Sequence, residues 1–207
     1  MKIVVILGSH RKTGKNKEIE EMLLSLPYEH DLDIIRMADM NINSCDSCYK
    51  CGSENTCVVE DDFASIYSKL SGTDAIFIIT PVYAPIPSKL TALFERLTSL
   101  LYATQLMNTD RNPLHGKQTA IFSYCSNGIA DETGIKVLFQ KFLMTGYSFH
   151  HINYEYINNC PNAAEKYSND VCNYVKDVIA SITTYKHKRR VKHATKKENN
   201  NESQSRG

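Results

Sequence analysis

The chain alternates between short, continuous apolar runs and longer segments whose apolar residues recur at helical spacing. The runs 2–7 and 75–80 are rich in Val and Ile, as is typical of strands that are covered on both faces. Between them, Ile19, Met22 and Leu23 follow one another at the spacing of a helix face. Strands that alternate with helices predict a parallel sheet with right-handed crossovers and helices on both faces.

The whole pattern is that of an α/β protein with five strands. The predicted strands are 2–7, 32–37, 75–80, 118–124 and 147–157. Five helices are predicted. The first ends at Pro27, the second is capped by Asp61 or Asp62 and ends at Gly72, and the third begins at Ser88. The other two are the segments 133–144 and 163–185. Five strands in this alternation favour a doubly wound, flavodoxin-like sheet of order 2-1-3-4-5, whose ligand site lies at the carboxyl ends of strands 1 and 3.

Nothing in the sequence predicts a membrane span or a secreted protein. The longest apolar runs fall far short of the roughly 20 residues that a membrane-spanning helix needs, and the run near the start is too short for a signal peptide. Residues 1–185 carry a net charge of −5, which is not typical of a nucleic-acid-binding surface. We therefore expect a cytoplasmic protein with neither membrane nor nucleic-acid partners.

The sequence divides at about residue 185. Residues 1–185 carry the strand and helix pattern and are predicted to form one domain. Residues 186–207 hold eight Lys or Arg, two Glu and few apolar residues, so they cannot bury enough surface to offset their ordering entropy. We expect a basic, disordered tail that aids solubility, with contact to RNA or anionic lipid as the alternative.

The loop after the first strand has the chemistry of a phosphate site. It opens a helix, and the first backbone N–H groups of a helix bind anions with the help of its positive dipole end. The candidate cofactor-binding residues here are Ser9, Arg11, Lys12, Thr13, Gly14 and Asn16. The glycine spacing differs from that of a Walker A or Rossmann motif. A polar helix start with exposed lysines is the alternative interpretation.

The loops after the third and fourth strands are candidates for contact with a planar ring. Pro81 stiffens the first of them, and Val82 and Tyr83 offer a surface against which a ring could lie. Ser126 and Gly128 lie in the loop after the fourth strand. An edge loop with a packed tyrosine is the alternative interpretation.

Four of the seven cysteines lie within thirteen residues, which we call the cysteine segment (45–57). The candidate metal ligands are Cys45, Cys48, Cys51 and Cys57. Their Cys-x2-Cys-x2-Cys-x5-Cys spacing favours a [4Fe–4S] cluster, since three closely spaced thiolates and a more distant fourth suit that cluster. A zinc site and a set of free, redox-sensitive thiols are the alternatives. An odd number of cysteines without a secretory signal argues against a disulfide framework.

These motifs resemble the NADPH-dependent FMN reductase family of flavodoxin-like proteins. The resemblance rests on Gly-Ser-x-Arg-Lys-x-Gly at 8–14 and Thr-Pro-Val-Tyr at 80–83, and the cysteine segment narrows it to iron–sulfur flavoproteins. It implies that the first loop, with Ser9, Arg11 and Asn16, holds the FMN phosphate. It also implies that 81–83, Ser126 and Gly128 flank the isoalloxazine ring, and that the protein is a homo-oligomer, a dimer or tetramer.

Three functional hypotheses follow from these observations. The first is an FMN-dependent enzyme that transfers electrons between a [4Fe–4S] cluster and FMN, with small molecules or proteins as electron donor and acceptor. The second is an NAD(P)H-dependent FMN or quinone reductase without a cluster. The third is a non-enzymatic electron carrier, or a zinc-bound interaction module, on the same scaffold.

Overall fold

A computed structural model of the protein describes residues 1–25, 31–54, 56–82, 86–106, 114, 117–124, 147–151, 173, 176, 177 and 180. The chain divides into two units, Met1–Val171 and Cys172–Gly207. The described residues of the second unit are all helical. The predicted boundary at 185 lies outside the described residues and stays a prediction.

The first unit contains a five-stranded parallel sheet in the order β2-β1-β3-β4-β5, which confirms the predicted fold. Every pair of neighbouring strands is parallel. The strands are β1 (Lys2–Leu7), β2 (Asp31–Arg36), β3 (Ala75–Pro81), β4 (Gln118–Tyr124) and β5 (Tyr147–His151). The described helices of this unit are α1 (Lys15–Ser25), α2 (Cys51–Glu54), α3 (Phe63–Ser71) and α4 (Ser88–Leu106).

The core lies on the interior strands of the sheet, among which β1 and β3 have the most continuous apolar runs. Residues 3–7 of β1 are at most 2% exposed, and all seven residues of β3 are buried. In β2, at the edge of the sheet, only Ile35 is buried. This gradient follows from the strand order, because a strand inside a doubly wound sheet is covered by helices on both faces.

Helix α3 begins and ends where the capping residues predict. The Asp61 carboxylate accepts a hydrogen bond from the backbone N–H of Phe63 at 2.9 Å. Asp62 makes no capping hydrogen bond with its side chain, so Asp61 is the residue that caps this helix. The last helical residue is Ser71, directly before Gly72.

Helix α4 buries the apolar residues that its spacing predicts, among them Leu90, Leu93 and Leu97. The same helix also buries Arg96, which is 1% exposed. A buried cation is costly unless charged or polar groups surround it. The interior of the protein next to α4 therefore contains a polar network that the apolar pattern does not predict.

The cysteine segment differs from the expected loop in one respect, because Cys51–Glu54 forms the short helix α2. Four predicted elements lie wholly or partly outside the described residues: the end of the helix predicted to stop at Pro27, the helix 133–144, the end of the strand 147–157, and most of the helix 163–185. Among the described residues, no helix is both long and apolar enough to cross a membrane.

Candidate functional site

The ends of β1 and β3 meet at Gly8. Its backbone N–H donates a hydrogen bond to the carbonyl oxygen of Ile79 at 2.8 Å. A Cβ atom at this position would lie 2.6 Å from Oγ1 of Thr80 and 2.8 Å from Cδ2 of Leu90. Only glycine therefore allows the loop to leave β1 this close to β3, at the point where a doubly wound sheet binds its ligand.

The loop from Ser9 to the start of α1 has the features of an anion site. Ser9 and Asn16 are each only 5% exposed, and the Ser9 hydroxyl accepts a hydrogen bond from the N–H of Arg11 at 3.1 Å. Gly14 has a φ of +86° and open space around its missing side chain. Helix α1 begins directly after it, and the first N–H groups of a helix have no partner within the helix.

A cavity of about 220 Å³ lies between this loop and the end of β2. Ser9, Arg11, Lys12 and Asn16 line it, whereas Thr13 and Gly14 do not. The structure thus brings four of the six predicted phosphate-site residues to one cavity.

Two ion pairs surround the same cavity. The Lys12 ammonium lies 3.0 Å from the Asp39 carboxylate. The Arg36 guanidinium pairs with Glu20, whose side chain is only 3% exposed. These carboxylates neutralise part of the positive charge, so Arg11 is the predicted cation with no ion pair among the described residues.

His10 joins the loop to helix α4, a contact that the sequence analysis missed. Its Nε2 atom accepts a hydrogen bond from the backbone N–H of Lys89 at 3.1 Å. The Lys89 ammonium in turn donates to the carbonyl oxygen of Met40 at 2.6 Å. Burial lowers the pKa of His10, and the nearby Lys89 charge lowers it further. The neutral imidazole is therefore the form that accepts this hydrogen bond.

The end of β3 supplies the second predicted loop. Pro81 is buried, and Val82 packs half-buried against the core. The Thr80 hydroxyl donates to the carbonyl oxygen of Pro81 at 3.0 Å, which orients that carbonyl. Tyr83, Ser126 and Gly128 lie outside the described residues, so their contact with a ring stays a prediction.

All four cysteines of the cysteine segment line one cavity of about 470 Å³. We call it the cysteine cavity; Ser99, Tyr102 and Ala103 of α4 form its opposite wall. The Cys45 Sγ lies 3.6 Å from the Ser99 hydroxyl, and the Cys51 Sγ lies 3.9 Å from the Ser99 carbonyl oxygen. All four thiols are free. The structure thus brings all four predicted metal ligands to one cavity, and their role as ligands stays a prediction.

Two residues of the cysteine segment have a left-handed backbone conformation. Ser47 has a φ of 51° and Tyr49 a φ of 57°. Such a conformation costs a non-glycine residue about 1–2 kcal/mol. These two residues separate Cys45, Cys48 and Cys51, so the unusual turns lie where the chain must bend to bring the thiols to one cavity.

The chain on either side of the cysteine segment meets at a neck formed by Asn41 and Asp62. The N–H of Asp62 donates to the carbonyl oxygen of Asn41 at 3.0 Å. The N–H of Asn41 donates to the Asp62 carboxylate at 2.6 Å. This reciprocal pair closes the segment at its base, where it joins β2 to α3.

The thiols share a cavity without converging on one point. Burial raises the pKa of the Cys51 thiol, and the neighbouring thiols at Cys45, Cys57 and Cys48 raise it further. Across the described ranges, no three His, Cys, Asp or Glu side chains are arranged so as to hold a metal ion. Four thiols are the donor set of a [4Fe–4S] cluster, but the segment would have to close further to bring them around one.

Arg96 contacts the cysteine segment from α4. Its guanidinium forms an ion pair with Asp61 at 2.5 Å, and both side chains are fully buried. It also donates a hydrogen bond to the Cys57 Sγ at 3.1 Å. Burial alone would raise the pKa of Asp61, but hydrogen bonds from the N–H groups of Asn43 and Phe63 and from Arg96 lower it below its usual value.

Fold and sequence comparisons agree on the class of protein. The model of the NADPH-dependent FMN reductase family matches residues 1–146. Among solved structures, a flavoenzyme NAD(P)H:(acceptor) oxidoreductase from Paracoccus denitrificans has a TM-score of 0.58 at 18% identity, covering 88% of this chain and 97% of that one. An NAD(P)H:quinone oxidoreductase from Methanothermobacter marburgensis has a TM-score of 0.59 at 10% identity, covering 83% and 93%. The sheet thus has the flavodoxin-like fold of these two proteins.

The chain belongs to the NADPH-dependent FMN reductase family, which confirms the predicted resemblance and supports FMN as its cofactor. An iron–sulfur flavoprotein of Methanosarcina thermophila is 33% identical over 99 residues, which are 46% of this chain and 52% of that protein. Another, of Methanocaldococcus jannaschii, is 31% identical over 111 residues, 52% of this chain and 58% of that protein. The chain thus spans about half the length of the curated relatives it matches.

Proposed function

We propose that the protein is an FMN-dependent oxidoreductase of the iron–sulfur flavoprotein type. Its activity is electron transfer between FMN at the strand ends and a [4Fe–4S] cluster on the cysteine segment. The observation that carries this proposal is that all four cysteines line one cavity on a scaffold of the FMN reductase family. Small molecules or proteins would serve as electron donor and acceptor.

The residues at the end of β1 fit the phosphate of FMN. Ser9 and Asn16 are buried polar groups beside the start of α1, and Arg11 supplies a positive charge at the same cavity. The N-terminus of α1 adds backbone donors and a favourable dipole. Pro81 and Val82, with Tyr83, are proposed to lie along the ring. FMN supplies the redox chemistry when bound, while these residues bind and orient it.

The cysteine segment fits a four-thiolate cluster better than a zinc site. Structural zinc sites typically pair two ligands at short spacing with two others after a longer insert, whereas here three cysteines follow one another at x2 spacing. Cys45, Cys48, Cys51 and Cys57 would hold the cluster. The hydrogen bond from Arg96 to Cys57 also suits a negatively charged thiolate, and the two relatives named above are iron–sulfur flavoproteins.

One observation favours the second candidate, an NAD(P)H-dependent FMN or quinone reductase without a cluster. The described thiols share a cavity but do not converge, and the family match does not depend on a cluster. This candidate predicts that NAD(P)H oxidation survives replacement of all four cysteines by serine. Loss of flavin reduction in that variant, with FMN still bound, would count against it.

Anaerobic purification followed by absorbance spectroscopy and analysis of iron, sulfide, zinc and FMN tests the proposal directly. We expect bound FMN together with iron and sulfide in the wild type. Cys45→Ser, Cys48→Ser, Cys51→Ser and Cys57→Ser should each lose iron, whereas Cys160→Ser and Cys172→Ser serve as matched controls and should keep it. Zinc in place of iron would support an interaction module, and a protein that binds no FMN after reconstitution would end the proposal.

Assembly is a separate part of the proposal. We propose a homo-oligomer, a dimer or tetramer, in keeping with the family resemblance. Sedimentation velocity on the flavin-loaded protein measures this directly, and a monomer at all protein concentrations would contradict it. The cytoplasmic location and the disordered basic tail stay predictions of the sequence.

A further inference from the structure

Arg96 is a fully buried cation whose donors reach several separate acceptors. Besides Asp61 and the Cys57 Sγ, its guanidinium donates to the carbonyl oxygens of Val59 at 3.3 Å and Asn43 at 3.4 Å. Its flat face lies over the ring of Phe63, 4.2 Å from the ring centroid. A planar guanidinium with five N–H donors can serve this many partners at once, which a lysine ammonium cannot.

The acceptors of Arg96 lie at or next to both ends of the cysteine segment. Asn43 lies two residues before Cys45, whereas Cys57 and Val59 lie at the other end. Asp61 joins the same ends from its own side, because it accepts a hydrogen bond from the N–H of Asn43 at 2.8 Å. The buried ion pair therefore holds the beginning and the end of the segment against one rigid helix.

We propose that Arg96 is a positioning residue for the cysteine cavity, which holds the two ends of the segment in place through its pair with Asp61. A second part rests on the proposed function: the N–H···S bond from Arg96 to Cys57 raises the reduction potential of the bound cluster. Hydrogen bonds to cluster sulfurs favour the more negative, reduced state. The buried ion pair does not by itself show a gain in folding stability, because a pair of apolar residues of similar volume often stabilises a protein interior equally well.

Two variants separate positioning from simple loss of stability. Arg96→Lys keeps the charge but loses the planar fork. The double variant D61N/R96M removes both charges, which avoids an unpaired buried carboxylate and is expected to fold. Lys69→Gln is the matched control, because it breaks the Lys69–Asp33 ion pair on α3 and β2 without touching the cysteine cavity.

Amide hydrogen exchange on the full-length, metal-free protein tests positioning without any cluster. Both variants should exchange about tenfold or more faster than the wild type across 43–61, while β1 and β3 are unaffected. Lys69→Gln should leave exchange across 43–61 unchanged. Equal exchange in wild type and variants would overturn the positioning role.

Iron retention and potential test the second part on the anaerobically loaded protein. We expect iron to be held roughly 10–100-fold more weakly in both variants, and the potential in an EPR-monitored redox titration to fall. Variants that load fully at an unchanged potential would overturn this part. A wild type that binds no iron would refute the proposed function and this second part together, whereas the exchange experiment would still decide the positioning role.

Discussion

Replacing Gly8 by alanine is expected to destabilise the protein and weaken FMN binding together. The new Cβ would lie 2.6 Å from Oγ1 and 2.8 Å from Cβ of Thr80, and 2.8 Å from Cδ2 of Leu90. Both neighbours are fully buried, so neither can turn away into solvent. The end of β1 must therefore move away from β3 or from α4. Overpacking of this kind costs about 1–3 kcal/mol of the free energy of unfolding.

Thermal unfolding measures the cost, because each kcal/mol lowers the Tm of a domain of this size by about 2–4 °C. FMN affinity, followed by quenching of flavin fluorescence, should fall as well, since the displaced loop carries Ser9 and Arg11. Gly52→Ala is the control: its new Cβ would meet only the Ala103 Cβ, at the ordinary contact distance of 3.8 Å. A G8A variant whose Tm and FMN affinity both equal those of the wild type would refute the reasoning.

Two further predictions concern charged groups near the same loop. Arg36→Met leaves the buried Glu20 carboxylate without its ion pair and should lower the free energy of unfolding in urea by about 1–3 kcal/mol. Lys17→Met breaks an exposed ion pair and should change the free energy of unfolding by less than about 0.5 kcal/mol. Equal losses in the two variants would contradict the importance of burial for the Arg36–Glu20 pair. Burial and the Lys89 charge lower the pKa of His10 in the folded protein. The neutral His10 side chain therefore contributes fully to the free energy of unfolding at pH values above 6.5, the usual histidine pKa. This contribution is lost as the pH falls through the lower pKa of the folded state. Melting temperatures of wild type and His10→Gln between about pH 7.5 and about pH 5 check this, and a difference that does not change with pH would contradict it.

The fold could be predicted from the sequence because burial on both faces of a strand leaves a continuous apolar run. The runs at β1 and β3 identify the two strands whose ends form the site, and the alternation with helices predicts their order. For the edge strand β2 the sequence predicts 32–37, one residue later than Asp31–Arg36, because both ends of this strand are exposed and carry charged residues that an apolar run does not include.

The polar network of α4 could be predicted only in part. Arg96 follows Leu93 by three residues and precedes Leu100 by four, so helical spacing already places it on the apolar face. Its partner Asp61 lies 35 residues away, and no local pattern links the two. The contact between His10 and Lys89 spans 79 residues and depends on how the loop after β1 approaches α4, which is a matter of tertiary packing.

The reciprocal hydrogen bonds between Asn41 and Asp62 make the stretch between them an insertion with a closed base. Because its two ends already touch, the entropy needed to close a longer or shorter stretch changes only slowly with length. A loop of different length could therefore close on the same base at little cost in entropy, provided that it supplies acceptors for the buried Arg96 guanidinium. Any replacement would still have to satisfy the interior of the protein, because Cys51 and Cys57 pack against the core and the buried Arg96 finds its acceptors on this stretch.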